Sequence, residues 1–241
     1  MSLIGLLTLI IVASTTGTIS GFGTSTLMLP VILIFHPLSD ALIFVTIIHW
    51  FNAIWRLLYF KSGFNLKLVL TFGLSGIITA IIGAKVVFLI DENILTKIIA
   101  IFLLAYSIFL LKNPSFQINF NKRTGIIGGA LSGFVAGIFG MGGAIRSAFL
   151  AAFNLPKELY LANSALLLAI IDTSRLLTYF YESKGVGNLL GMSYITVIIC
   201  ILFSFIGVSL GKVIVDKIPQ EQFRIIIAVF LMIIAVKLFW S

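Results

Sequence analysis

Two glycine-rich breaks interrupt apolar stretches of this chain, and the same landmarks follow each. The first, Gly21-Phe-Gly-Thr24, lies in SGFGTSTLMLP; the second, Gly140-Met-Gly-Gly143, lies in FGMGGAIRSAF. A register of 119 residues lays Gly21 on Gly140, Gly23 on Gly142, Pro37 on Pro156 and Arg56 on Arg175. A helix-breaking element that recurs at matching positions of two halves points to a binding site at a repeat interface.

The chain around these breaks is apolar enough to name its solvent. Hydrophobic residues make up 60% of 241 and charged residues 10%, with a mean hydropathy of +1.20. Soluble domains carry about 25% charged residues. Bilayer-length apolar runs recur throughout, and runs such as LIGLLTLIIVA lack the alternation of a β-barrel strand. The expected class is an all-α polytopic membrane protein. The N-terminal segment lacks a basic leader, the first Lys or Arg being Arg56, so it is expected to be a retained membrane segment rather than a cleaved signal.

The net charge of +8 would suggest nucleic acid for a soluble protein. Here Lys and Arg gather at the ends of apolar segments, as interfacial anchors do, and no nucleic-acid partner is expected. Cys200 is the only cysteine, which excludes an intrachain disulfide.

Each half divides into five segments. The first half (1–112) predicts apolar segments at about 2–16 and 25–35, then helices at 39–60, 66–90 and 94–111. A linker (113–123) leads to the second half (124–241), with segments at about 124–139, 144–154, 157–181, 188–215 and 220–240. Beyond the breaks a second register, 128, lays Gly83 on Gly211. The short segments cover about half to two-thirds of a ~30 Å hydrocarbon core. They fit either a re-entrant hairpin or two broken spans. Both readings give each half an odd number of crossings, so the repeats are expected to be inverted. Lys61, Lys67, Lys112, Lys122 and Arg123 fall on one side in this scheme, which predicts cytoplasmic basic loops and both termini outside.

The candidate site residues are the break glycines, Gly21, Gly23, Gly140, Gly142 and Gly143, with Thr24 and Ser25 beside them and Arg146 beyond the second break. Glycine lets backbone approach a ligand, and a helix starting inside the membrane turns free N–H groups and partial positive charge toward it. Arg146 is the best single candidate for anion recognition. Two polar stripes add to the set. Thr46, His49, Asn52 and Arg56 occupy one helix face within about 120°, as do Ser164, Asp172, Arg175 and Thr178. Buried charge in a bilayer usually faces a cavity or protein interior. Against that, Arg56 could snorkel to the interface, and Arg175 could form a purely structural pair with Asp172. In an inverted repeat, Arg56 and Arg175 could also line opposite ends of a pathway. His49 and Asp172 are proton-coupling candidates, and a hydrogen-bonded core histidine is the alternative. No metal site, cofactor motif, Walker loop or catalytic constellation is present in the sequence.

GFGTSTLMLPVILIFHP and GIFGMGGAIRSAFLAAFNLP, duplicated in a chain of this length and helix count, resemble the sulfite exporter TauE/SafE family over residues 2–240. The resemblance implies secondary transport of sulfur-containing anions across the cytoplasmic membrane: sulfite, thiosulfate or organosulfonates such as sulfoacetate. Thr24 stands in the first break where Gly143 stands in the second. The expected partners are a small anion and the lipid bilayer, and self-association is left open. The alternatives are an accessory membrane subunit and a membrane-embedded enzyme.

Overall fold

The computed structural model describes residues 2–21, 23–60, 63–112, 121–152, 155, 157–183 and 191–214, with single positions at 232 and 236. The segment expected at 220–240 and most of the inter-repeat linker lie outside the described residues. The remainder is all-helical: α1 (Leu3–Ser20), α2 (Thr24–Leu33), α3 (Leu38–Tyr59), α4 (Leu66–Val87), α5 (Glu92–Lys112), α6 (Lys122–Phe139), α7 (Gly143–Ala152), α8 (Lys157–Glu182) and α9 (Tyr194–Ile214). Four of them, α3, α4, α8 and α9, are long and apolar enough to cross a membrane.

The main departure from expectation is at α1, which continues to Ser20 through the polar stretch Ser14-Thr-Thr-Gly-Thr18. Its hydroxyls are satisfied locally or by a neighbour. Thr16 and Thr18 donate to the carbonyls of Ala13 and Ser14, both at 2.9 Å, and Thr15 donates to the carbonyl of Gly207 on α9 at 3.0 Å. Hydroxyls bonded this way are no obstacle to an intramembrane helix. The helix α6 starts two residues early because Asn121 and Thr124 form a reciprocal capping box.

Helix packing repeats with the sequence. Exchanging α1 with α6, α2 with α7, α3 with α8 and α4 with α9 turns the α4–α6 interface into α9–α1 and α4–α8 into α9–α3. It also turns α1–α2 into α6–α7 and α2–α3 into α7–α8, and leaves α3–α8 unchanged. The match holds at single residues. A Cβ on Gly83 would meet the carbonyl of Phe134 and the Cα of Gly137, and one on Gly211 would meet the carbonyl of Thr15 and the side chain of Thr18. Thr15 and Thr18 precede Phe134 and Gly137 by the same 119 residues that separate the breaks. The halves therefore interlock: α4 of the first packs on α6 of the second, and α9 of the second packs on α1 of the first.

Small residues make the crossings close. On α6, Gly129, Gly133 and Gly137 lie every fourth residue, and a Cβ on each would strike the backbone of α4 at Phe72, Gly76 and Ala80. This is the small-residue packing expected where lipid supplies no hydrophobic drive between helices. The opposite face of α4 carries Leu70, Leu74, Ile78 and Ile82, all exposed, an apolar stripe suited to lipid.

Candidate functional site

Both breaks adopt the same backbone. Gly21 ends α1 at φ 74° and Gly140 ends α6 at φ 67°, both left-handed. An L side chain in that region costs roughly 1–2 kcal/mol, which explains glycine at these two equivalent positions. After each break the chain turns back. Thr24, first residue of α2, lies against Gly17 on α1. Ser132 of α6 donates at 2.8 Å to the carbonyl of Gly142.

The repeats meet at the breaks. A Cβ on Gly21 would stand 2.9 Å from the Tyr160 hydroxyl and 3.4 Å from Oγ of Ser147, both in the second half. A Cβ on Gly140 would meet Leu29 and Leu42 of the first half, and Nη2 of Arg175 at 3.5 Å.

Two arginines converge on the last turn of α1. Arg146, on the first turn of α7, points Nη2 at the carbonyl of Gly21 from 3.5 Å and Nε at Oγ of Ser164 from 3.4 Å. Arg56 of α3 donates from Nη1 to the carbonyl of Gly17 at 3.2 Å, and its Nε has no partner. Gly17 and Gly21 are one turn apart, roughly 6 Å along the axis, at the helix end whose carbonyls favour cations. Arg56 is 2% exposed, so its side chain turns inward and does not snorkel. The two guanidiniums are close enough for their charges to interact.

Beside them runs a short, well-connected chain across the α3–α8 interface. Nδ1 of His49 lies 2.7 Å from Oδ2 of Asp172. The other oxygen, Oδ1, accepts from Nη1 of Arg175 at 2.6 Å, and Nη2 of Arg175 donates to the Thr46 hydroxyl at 2.8 Å. The guanidinium also stands 5.6 Å from the centre of the Tyr179 ring, and the Tyr179 hydroxyl donates to the carbonyl of Gly137 on α6. Arg146 interacts electrostatically with Asp172 and Arg175 as well as with Arg56. Arg56, Arg146 and Arg175 thus form one cluster rather than the ends of a pathway.

The other anticipated residues are buried around this cluster. Asn52 donates from Nδ2 to Oγ of Ser14 at 3.0 Å, leaving its carbonyl oxygen unpartnered. Thr24 and Ser25 are buried at the start of α2, as is Gly143 at the start of α7. Hydroxyls of Thr26 and Ser147 are buried without a partner. Among the described residues no group of three His, Cys, Asp or Glu side chains could hold a metal ion. Ser14 and Tyr160 were not anticipated. Their spacing carries a signal: Ser14 precedes Gly17 and Gly21 by three and seven residues on α1, and Tyr160 precedes Ser164 by four on α8, which places them on the same faces.

The family model described as sulfite exporter TauE/SafE matches residues 6–238. A protein of Methanocaldococcus jannaschii described as a "probable membrane transporter protein" is 26% identical over 195 residues, covering 77% of this chain and 72% of its own length. No solved structure matches the chain.

Proposed function

The chain belongs to the sulfite exporter TauE/SafE family and is a multi-pass membrane permease, and we propose that it carries a small sulfur-containing anion such as sulfite, thiosulfate or an organosulfonate. One observation carries the reading. Among the described residues, three arginines but a single carboxylate, Asp172, are buried. Asp172 pairs with Arg175, so Arg56 and Arg146 lack an anionic partner. Unpaired charge away from water is costly, and a bound anion would relieve that cost. The description of the archaeal relative as a membrane transporter supports the same reading.

In this account the anion sits where the two breaks meet. Arg146 and Arg56 supply charge, Gly21, Gly23 and Gly140 to Gly143 give backbone access, and Thr24, Ser25 and Asn52 add polar contacts. Arg175 sits beside the same site, held by Asp172. The repeats are inverted in the cytoplasmic membrane with both termini outside, and rocking of one against the other exposes the site alternately. The buried His49–Asp172 pair, 2.7 Å apart, spans the α3–α8 interface between the repeats and carries the coupling proton. A proteoliposome assay with labelled sulfite, thiosulfate and sulfoacetate tests the reading. Saturable flux of at least one is expected; no flux of any, in either direction and with either pH gradient, overturns it.

A further inference from the structure

Charge counting within the cluster narrows the ligand further. Arg175 is already neutralised. It holds Asp172 at 2.6 Å and Thr46 at 2.8 Å, and Asp172 spends its second oxygen on His49. Arg56 and Arg146 touch only neutral oxygens, at 3.2 to 3.5 Å. Charge-assisted bonds normally close to about 2.7–2.9 Å, so both guanidiniums retain most of their bonding capacity. Counting histidine as neutral, the buried side chains of the described residues carry three positive charges and one negative, a surplus of two.

We infer that the site is matched to a dianion, with Arg56 and Arg146 as its two counter-charges. This rests on reading the cluster as the anion site. A monoanion would leave one guanidinium uncompensated beside another cation in a poorly solvated interior, where such repulsion is strong. A dianion removes the surplus. The chemical class is a doubly charged sulfur oxyanion, or a sulfonate that also carries a carboxylate. The carbonyls of Gly17 and Gly21 hold the two guanidiniums a helical turn apart, so charge spread over the ligand can meet both. The unpartnered hydroxyls of Thr26 and Ser147 and Nε of Arg56 offer three further buried donors.

The test is equilibrium binding to the purified full-length chain at constant pH and ionic strength, with thiosulfate and sulfoacetate as dianions and methanesulfonate as the monoanion. The dianions are expected to bind about tenfold tighter or more, the scale of one charge-assisted hydrogen bond. Arg56→Gln keeps a donor and removes one charge; it should bring the two classes within about threefold, by weakening the dianions. Arg146→Gln serves the same purpose if the first variant does not fold. Methanesulfonate binding wild type as tightly as thiosulfate would overturn the dianion inference and leave the anion site standing. So would an undiminished dianion preference in a folded variant. Binding of no anion at all would overturn both.

Discussion

Arg146, on the helix that follows the second glycine break, points its guanidinium at the carbonyl of Gly21 in the first, with Nη2 3.5 Å from the oxygen. The residues are 125 apart in sequence and belong to different repeats. The duplicated breaks are therefore two sides of one buried locus. Their contributions are unequal: the second break brings a charge, and the first brings the end of α1 and the hydroxyls of Thr24 to Thr26.

Removing an unpartnered hydroxyl should separate binding from stability. Ser147 and Thr26 have hydroxyls buried without a protein partner, so Ser147→Ala and Thr26→Val remove no bond from the fold. Thermal unfolding in detergent should be unchanged or slightly higher. Anion affinity should fall about three- to tenfold, the worth of an ordinary hydrogen bond. A fall in stability with unchanged affinity would show that both hydroxyls serve the fold.

Asp172→Asn should be the most damaging single change in the cluster. It strands Arg175, 1% exposed, without its counter-charge, and breaking a buried pair costs roughly 3–5 kcal/mol. Asp172→Asn combined with Arg175→Gln should recover much of that loss, because neither charge remains. Thermal unfolding of the two single variants and the double variant checks this. Additive losses would mean that the pair is not the stabilising unit.

The proton reading makes a directional prediction. If His49 and Asp172 carry a proton with the anion, flux in wild-type proteoliposomes should be faster from the acidic to the alkaline side. His49→Gln should remove that dependence and still permit exchange of anion for anion with no net proton movement. An equal response to the pH gradient in wild type and variant would remove His49 from the coupling path.

Packing offers a test independent of function. Gly133 lies within α6, and a Cβ there would strike the carbonyl of Gly76 and the Thr79 hydroxyl on α4. Gly133→Ala should push the helices apart at about 1–3 kcal/mol. Gly63→Ala is the control, because a Cβ there meets nothing within 4 Å and only the left-handed backbone resists. A larger drop in melting temperature for Gly133→Ala is expected; equal drops would refute the close crossing.

Much of this architecture is legible in the sequence because its signals are local. A glycine pair inside an apolar run marks Gly21 and Gly140 as breaks, and helical spacing puts His49 with Arg56 and Asp172 with Arg175. The spacing of Gly125, Gly129, Gly133 and Gly137 was also available and predicts the close α4–α6 crossing. The choice of partners was not available. Nothing local links His49 to Asp172, 123 residues on, or turns Arg56 away from its helix end toward Gly17. Those pairings follow from how the repeats interlock. The length of α1 was hidden for a different reason: its threonines look like a helix end until Gly207 supplies an acceptor.

The most direct measurement is uptake of labelled thiosulfate by proteoliposomes containing wild type or Arg146→Ala, with melting temperatures recorded for both. If the two breaks form one anion site, wild-type uptake saturates. The variant then melts near the wild-type temperature and needs at least about tenfold more thiosulfate for half-maximal uptake. Unchanged concentration dependence in a well-folded Arg146→Ala protein would contradict the account, and would place the anion away from the junction of the breaks.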